Sequence, residues 1–303
     1  MELRTLRYFL AVAREGSLTQ AAKVLYVTQP ALSRQLKALE EELGAKLFVR
    51  GSHSVALTEQ GSLLKQRCEE IVQLADKTVA EFAAPTGMVA GDVHIGVGES
   101  YTSQLLARVA KGLQERYPGI RYRLYDGNAD DLADRLDGGL LDFCVLIQPA
   151  DLSKYSHLRL PERDSWGLLM RRDNPLAEKA AISPSDLLDE PLICSDQTIV
   201  RTLSHNSFID WFGEDFESLN IVATYNLIFN ATLFAAAGFG SVLALQNQVR
   251  VSEADVLCFR PLEPKMEVES DIVWKKHRMF SPAAETFLEA LREHLEQPET
   301  RPS

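Results

Sequence analysis

The sequence lacks a long apolar run, a leader-like start and any cysteine pattern. No stretch of its 303 residues approaches the ~20 apolar residues that a membrane-spanning helix needs, and acid and base interrupt the first apolar stretch, unlike in a signal peptide. We therefore expect a cytoplasmic protein. The four cysteines, Cys68, Cys144, Cys194 and Cys258, stand far apart without CxxC or Cys/His spacing, which favours buried thiols over a metal site or a disulfide framework. We expect neither a metal nor a cofactor.

Positive charge is also scarce, since the formal net charge is -11. Taken alone, this argues against a nucleic-acid partner. The charge is unevenly distributed, however. Residues 1–58 carry eight Lys/Arg and five Glu, which gives +3, so the rest of the chain carries -14. A basic segment on an acidic body indicates a local site for a polyanion. The length predicts two or three packed units, because single cores seldom grow past roughly 250 residues.

The first 44 residues predict three short amphipathic helices. They are divided at Gly16-Ser17 and at Val27-Thr28, and Gly44 stands where a helix C-terminus favours glycine. Ser17 and Gln20 have the spacing of a capping box for the second helix. For the third helix, Thr28 or Gln29 is expected to cap the N-terminus and Pro30 to occupy the first turn.

The third helix has two distinct faces when it is turned by about 100° per residue. Its leucines fall on one side and are expected to face the core: Leu32, Leu36, Leu39 and Leu43. The opposite side of its first half carries short, hydrogen-bonding or cationic residues: Pro30, Ser33, Arg34 and Lys37. Such a set suits the major groove of DNA, where a helix N-terminus approaches phosphate and Gln or Arg can bind base edges. The alternative is an ordinary solvated face.

The next segment, KLFVRGSHSVALT, alternates and turns like a small hairpin, which completes a helix-turn-helix with a wing. The stretches RYFLAVAREGSLTQAAKVL and TQPALSRQLKALEEELGAKLF, together with Arg50 and LTEQG, closely resemble the N-terminal domain of LysR-type transcriptional regulators. The resemblance implies that Gln29, Pro30, Ser33 and Arg34 read the groove and that Arg50 is the wing contact to the backbone or minor groove. We expect the full DNA-binding set to be Ser17, Thr19, Thr28, Gln29, Pro30, Ser33, Arg34, Lys37, Arg50 and His53. The wing tip, GSHSVA, carries fewer cations than in many family members, which predicts DNA binding that is weaker or more steeply dependent on dimerisation.

Residues 59–87 predict a linker helix that ends at Pro85-Thr86-Gly87. Apolar or small residues recur in steps of four and three, close to the 3.5-residue period of a coiled coil: Leu64, Cys68, Ile71, Ala75, Thr78 and Phe82. We expect this seam to pair two copies of the chain. The alternative is a helix that lies on its own domain. The family resemblance favours dimerisation and also implies a tetramer.

Residues 88–303 alternate strand and helix signals, which predicts parallel sheet covered by helices. We expect two α/β lobes, the first from residues 88–162 and 267–303 and the second from residues 163–266, with a ligand cleft between them. The layout is similar to the effector domain of the LysR family, which itself resembles type 2 periplasmic binding proteins. The fold class is thus multidomain α/β: a winged helix-turn-helix over residues 1–58, a linker helix and a two-lobed effector-binding domain.

Polar residues follow several predicted strands and could together line the cleft. We expect the effector-binding set to be Ser100, Tyr101, Thr102, Ser103, Asn128, Gln148, Ser195, Gln197, Arg201 and Asn226. The segment of residues 100–103 opens a helix, where backbone N–H groups and hydroxyls can hold an anion, and the resemblance implies that Arg201 could meet a carboxylate. Helix capping or ordinary loop polarity is the alternative for each residue. GVGES lacks the third glycine of a dinucleotide fingerprint, and no GxSxG elbow occurs, so we expect no enzyme.

These observations predict a sequence-specific transcriptional regulator that responds to a small, unidentified effector. Arg201 and the helix start at residues 100–103 would suit an anionic effector. Its expected partners are double-stranded operator DNA, a second copy of the chain in a homodimer or homotetramer, and RNA polymerase as a further candidate. The alternative is a cytoplasmic solute-binding protein or enzyme with an incidental trihelical head.

Overall fold

The computed structural model describes residues 1–50, 55–82, 89–199 and 207–296, and the chain divides into two compact units, Met1–Ala83 (unit 1) and Ala84–Ser303 (unit 2). The elements of unit 1 are α1 (Leu3–Glu15), α2 (Leu18–Val24), α3 (Gln29–Leu43), β1 (Phe48–Arg50), β2 (Val55–Leu57) and α4 (Glu59–Phe82). The three predicted N-terminal helices and the hairpin strands are therefore present.

Local signals explain where the helices of unit 1 begin and end. The Ser17 hydroxyl accepts the N–H of Gln20 at 3.4 Å, and Gly16 and Gly44 end α1 and α3 with φ of 60° and 64°. Glycine adopts this left-handed conformation without a Cβ penalty. The three helices enclose an apolar core that includes Phe9, which lies 5.2 Å from the ring of Phe48 at the start of the wing.

Unit 2 contains two mixed sheets. Its strands are β3 (Gly91–Val97), β4 (Ile120–Asp126), β5 (Phe143–Ile147), β6 (Tyr155–Arg159), β7 (Asp164–Arg171), β8 (Leu192–Ser195), β9 (Ile221–Tyr225), β10 (Ser241–Leu245), β11 (Leu257–Pro261), β12 (Glu267–Val268) and β13 (Ser270–Lys275). Its α-helices are α5 (Ser103–Arg116), α6 (Ala129–Asp137), α7 (Asp196–Ile199), α8 (Ser207–Phe212), α9 (Ile228–Ala236) and α10 (Pro282–Glu296). Single 3₁₀ turns span Pro175–Glu178, Pro184–Leu187 and Gly213–Ser218.

The first lobe is built on a five-stranded sheet in the order β4-β3-β5-β13-β6. The chain returns to it at the end, because β13 pairs with β5 and α10 packs with α5 in the same core, as the sequence predicts. The second lobe is built on the order β11-β7-β10-β8-β9, with β12 at one end of β7. Residues 200–206, between α7 and α8, lie outside the described part of the chain.

The prediction of parallel sheets was only half right. Strands β3, β4 and β5 are parallel, and so are β8, β9 and β10, but β13 runs antiparallel to β5 and β6, and β7 runs antiparallel to β10 and β11. Strands β6 and β11 are edge strands, and each pairs with a strand far away in sequence, so no local pattern predicts the pairing.

None of the helices in the described ranges has the length and apolar composition needed to cross a membrane.

Candidate nucleic-acid interface and ligand cleft

The start of α3 is fixed by a side-chain cap. Thr28 Oγ1 accepts the N–H of Ala31 at 3.4 Å, and Pro30 lies in the first turn. Leu32, Leu36 and Leu39 are fully or almost fully buried in the core of unit 1. The expectation for Leu43 was wrong: its side chain is 42% exposed, because the last turn of α3 extends beyond the three-helix core.

Opposite these leucines, the first half of α3 presents its polar residues to solvent. Gln29, Pro30, Arg34 and Lys37 are exposed, whereas Ser33 is half-buried and already has a polar interaction. We call the exposed set of Gln29, Pro30, Arg34 and Lys37, which is the candidate for contact with DNA, the DNA-facing side of α3. Lys37 Nζ lies 3.5 Å from the carboxylate of Glu41, a weak contact between two exposed side chains.

Glu40, near the end of α3, binds residues that lie at the start of the wing. Glu40 Oε2 lies 2.8 Å from Lys46 Nζ, and Glu40 Oε1 accepts the N–H of Leu47 at 3.0 Å. Burial opposes ionisation, but these partners outweigh it and lower the pKa of Glu40 below its ordinary value. Glu40 therefore fastens α3 to the first residues of the wing.

The other predicted DNA-binding residues lie on α2 and the wing. Ser17 caps α2 and is half-buried, and Thr19 is exposed in its first turn. The wing strands pair in the register Phe48 with Leu57 and Arg50 with Val55, and the Val55 N–H donates to the Gly16 carbonyl at 2.8 Å. The side chain of Arg50, and His53 as a whole, lie outside the described residues.

The predicted seam of α4 divides into two parts. Cys68 is fully buried in the core of unit 1 and Leu64 packs against that core, so the first part of the seam was wrong as a surface for a partner helix. Arg7 on α1 also donates to Asp76 of α4, with Nη1 3.2 Å from Oδ2. Part of α4 thus packs on its own unit, which is the alternative that the sequence analysis gave to a pairing seam.

The other part of the seam lies on an exposed face. Ile71 is 40% and Phe82 87% exposed, Thr78 is exposed, and Ala75 is half-buried. Leu63 (60%) and Leu74 (41%), which the sequence analysis did not single out, lie on the same side as Ile71 and Phe82 at helical spacing. We call Leu63, Ile71, Leu74 and Phe82 the apolar stripe of α4.

Several predicted effector-binding residues of unit 2 already bind the protein itself. Asn128 Oδ1 accepts the N–H of Asp131 at 2.9 Å and caps α6. The amide of Gln148 is used at both ends, since Nε2 donates to Asp271 at 2.7 Å and Oε1 accepts the Ala150 N–H at 2.9 Å. Asn226 Oδ1 lies 2.9 Å from the N–H of Leu227 and is exposed.

The remaining members of the set lie at the starts of α5 and α7. Thr102 is buried, its hydroxyl contacts that of Ser100, and Ser103 is half-buried. Ser195 ends β8, is half-buried and has a polar interaction, and Gln197 follows in α7. Arg201 lies outside the described residues.

The loop after β3 joins the two lobes through residues that the sequence analysis missed. Glu99 Oε2 accepts the N–H of Ile228 at the start of α9 at 2.6 Å, and the Glu99 carbonyl accepts Gln248 Nε2 at 2.6 Å. In the opposite direction, Asp164 Oδ2 of the second lobe accepts the N–H of Tyr101 at 3.2 Å, just before α5. We call these contacts the inter-lobe bonds. Each lobe places a carboxylate near the start of a helix of the other lobe, a position that favours negative charge.

These two carboxylates are partly dehydrated. Burial raises the pKa of Glu99 above its ordinary value and the nearby Asp126 carboxylate adds to the rise, although the Ile228 N–H opposes it. Burial likewise raises the pKa of Asp164, with the Tyr101 N–H opposing and Glu162 adding. The cleft that the sequence predicts for an anion thus carries acidic groups among its described residues. In the described part of the chain, no group of three or more His, Cys, Asp or Glu is arranged to hold a metal ion.

Comparisons with known proteins agree with both units. Residues 86–296 match the model of the LysR substrate binding domain, and residues 3–62 match that of the bacterial regulatory helix-turn-helix protein, lysR family. The chain is 27% identical to the uncharacterized HTH-type transcriptional regulator YvbU of Bacillus subtilis (strain 168), over 97% of this chain and 98% of that one. It is 26% identical to the hydrogen peroxide-inducible genes activator of Pectobacterium carotovorum subsp. carotovorum, over 98% and 96%.

The fold is also that of a solved full-length structure. The crystal structure of full-length CbnR complexed with its target DNA superposes with a TM-score of 0.73 at 22% identity and covers 97% of this chain and 99% of that chain. The family models together match most of the chain, so the predicted fold class and the regulator function are confirmed, and the enzyme alternative is wrong. The chain belongs to the LysR family of bacterial transcriptional regulators, with a DNA-binding helix-turn-helix domain and an effector-binding domain.

Proposed function

We propose that the DNA-facing side of α3 reads base edges in the major groove of operator DNA. The observation that carries this is the division of α3: Leu32, Leu36 and Leu39 are buried, and Gln29, Pro30 and Arg34 are exposed at a capped N-terminus. Gln and Arg make paired hydrogen bonds to adenine and guanine. Lys37 of this face is proposed to contact phosphate, together with Ser17, Thr19, Thr28 and Ser33, and Arg50 and His53 keep their predicted role at the wing.

Two copies of the chain are proposed to pair through α4 along the apolar stripe, which keeps Ile71 and Phe82 of the predicted seam and replaces its buried first part. Leu63, Ile71, Leu74 and Phe82 remain exposed in a single chain, and burying them against a second helix would remove apolar area from water. A dimer also matches the two-fold symmetry of an operator with two half-sites. A tetramer and a contact with RNA polymerase remain expectations of the family resemblance. We also propose that this protein acts in the cytoplasm.

Sedimentation of the full chain tests the dimer. Leu74→Lys is expected to shift the protein toward the monomer at micromolar concentration, because it places a charge in the apolar stripe. Gln73→Lys is the matched control, because this substitution adds the same charge at an exposed position on another side of α4. Equal sedimentation of Leu74→Lys and wild type would contradict this use of the stripe.

We propose that an effector acts on the inter-lobe bonds. A small molecule that enters between the lobes near Ser100, Tyr101, Ser195 and Gln197 would change the closure of the cleft only by its differential affinity for the two arrangements. An anionic effector would compete with Glu99 and Asp164 for the N–H groups of Ile228 and Tyr101, and Arg201 is the cation proposed to meet it.

A thermal-shift screen of the full chain tests this proposal. The panel comprises small carboxylates and matched uncharged amides, because a specific ligand stabilises the protein by mass action, about 2.7 kcal/mol at 100 times its Kd. A carboxylate hit should shift the Tm of Glu99→Gln more than that of wild type, since the competing carboxylate is gone. A hit whose binding is insensitive to Glu99→Gln and to Ser195→Ala would place the effector elsewhere.

Thiol oxidation is not favoured as the signal, although one similar protein is a hydrogen peroxide-inducible genes activator. All four cysteines are buried. Burial raises the pKa of Cys68 to about 11 and that of Cys144 and Cys194 to about 12. Oxidation requires an accessible thiolate, so these thiols are expected to be inert.

A further inference from the structure

We propose that Tyr26 is an additional DNA contact, whose ring lies against a deoxyribose and whose hydroxyl donates to a backbone phosphate beside the groove that receives α3. The inference rests on the proposed DNA-facing side of α3 and adds a residue outside it. Tyr26 lies in the turn between α2 and α3, two residues before the Thr28 cap.

The side chain of Tyr26 contributes almost nothing to the packing of unit 1. It is 96% exposed, whereas its neighbours Leu25 and Val27 both pack against the core. A large aromatic side chain with a polar tip gains free energy mainly when its ring is covered, and such residues are enriched at interfaces. Packing therefore does not explain a tyrosine at this position.

The backbone of the turn does not explain it either. Tyr26 has a φ of 55°, a region that glycine and asparagine enter readily and that bulky residues avoid. Two backbone hydrogen bonds close the turn: the Tyr26 N–H donates to the Lys23 carbonyl at 3.2 Å, and the Val27 N–H donates to the Ala22 carbonyl at 3.0 Å. Neither bond involves the side chain of Tyr26. A strained backbone that carries an exposed aromatic residue points to a use outside the fold.

The surroundings of Tyr26 suit a phosphate. The N-terminus of α3 carries a partial positive charge and orphan N–H groups, which favour an anion nearby. Lys23 on α2, Thr28 and Gln29 are exposed on either side of Tyr26 along the chain. Tyrosine hydroxyls are among the usual donors to DNA phosphates, and these contacts position a protein without reading sequence. The chemistry recognised is therefore the sugar-phosphate backbone and not a base edge.

Fluorescence anisotropy with the full chain tests the proposal. The probes are duplexes that the wild-type protein selects from a random library, and scrambled duplexes of the same length. Tyr26→Asn introduces a residue suited to the backbone and removes the ring and hydroxyl. It is expected to bind both probes about tenfold more weakly, the loss of one good contact, with a Tm that is no lower than that of wild type. The dependence of log affinity on log salt should keep its slope, since no cation is removed.

Further variants separate the contributions. Tyr26→Phe removes only the hydroxyl and is expected to lose about threefold, less than Tyr26→Asn. His277→Asn is the matched control, because His277 is an exposed residue of unit 2 with a φ of 58°. The affinity of the His277→Asn variant for DNA should equal that of wild type. Unchanged affinity of Tyr26→Asn would overturn the proposal, and so would a loss confined to the selected duplexes. Arg34→Ala, which alters base preference, reports on the DNA-facing side of α3 separately.

Discussion

The polar residues at the start of α3 in unit 1 are exposed to solvent, whereas those at the strand ends of unit 2 mostly bind their own protein. Gln29 and Arg34 extend from a helix that a buried leucine face holds in place. By contrast, Gln148 donates to Asp271, and Glu99 accepts from Ile228. The proposed DNA face is thus exposed before DNA binds, while a ligand at the proposed cleft site would have to exchange existing hydrogen bonds for new ones. That difference is what a sensor requires, since only exchanged contacts can couple binding to a change of arrangement.

The two units also each contain a glycine at which the backbone leaves no room for a Cβ. A Cβ on Gly61 would lie 2.1 Å from the Leu47 carbonyl oxygen, and one on Gly167 would lie 2.4 Å from the Arg260 carbonyl oxygen. We expect Gly61→Ala to destabilise unit 1 and Gly167→Ala to destabilise unit 2, each by about 3 kcal/mol, the upper range for overpacking. Hydrogen exchange followed by mass spectrometry assigns the loss of protection to one unit or the other.

Gly112→Ala is the control for that pair. Nothing lies within 4 Å of its added Cβ, and Gly112 is inside α5, so we expect a gain of about 0.5–1 kcal/mol. If Gly61→Ala and Gly167→Ala reduced protection equally throughout the chain, the units would not be separate in stability.

Carboxylates of the two units should respond to pH in opposite directions. The pKa of Glu99 is raised in the folded state, so it lowers stability as pH rises above its unfolded pKa of about 4.5. The pKa of Glu40 is lowered, so it adds stability above that pH and loses it as pH falls. As pH rises from about 3 to about 6, Glu40→Gln should therefore lose stability relative to wild type, chiefly below pH 4.5, and Glu99→Gln should gain it, chiefly above pH 4.5.

Urea unfolding across this range, with each unit followed separately, measures both slopes. The sign of the slope is the test, and the same sign for the two variants would contradict the contrast between a dehydrated inter-lobe carboxylate and a paired one in unit 1.

A smaller effect distinguishes phosphate contacts from other surface charges. Lys37→Gln should reduce the slope of log affinity for DNA against log salt by about 0.9, because one phosphate contact is lost. Lys111→Gln in α5 is the control, since Lys111 pairs with Glu115 at 3.7 Å just as Lys37 pairs with Glu41 at 3.5 Å. Anisotropy titrations at several salt concentrations compare them, and equal slopes for the two variants would exclude Lys37 from the interface.

The parts of the fold that the sequence predicted depend on local signals. Thr28, Gly44 and the leucine period determine the fifteen residues of α3, and caps and periodicity are visible in the sequence itself. The errors arise where distant segments decide. Leu43 continues the leucine period but extends past the core, and Cys68 fits the coiled-coil period but faces its own unit.

The inter-lobe bonds were missed for the same reason. Glu99 and Asp164 are ordinary acidic residues in sequence, and only the meeting of two lobes places each one against the N–H of a distant residue. Tyr26 was missed because a positive φ at a tyrosine has no sequence signal, unlike one at glycine. Backbone conformation and long-range pairing therefore account for most of what the sequence did not predict.

The most direct measurement is the base preference of Arg34→Ala, obtained by selecting duplexes from a random library with wild-type and variant full-length protein. If the DNA-facing side of α3 reads base edges, the variant should lose discrimination at one base step by about 1–3 kcal/mol and keep it elsewhere. An unchanged preference at every position of the selected site would contradict the account.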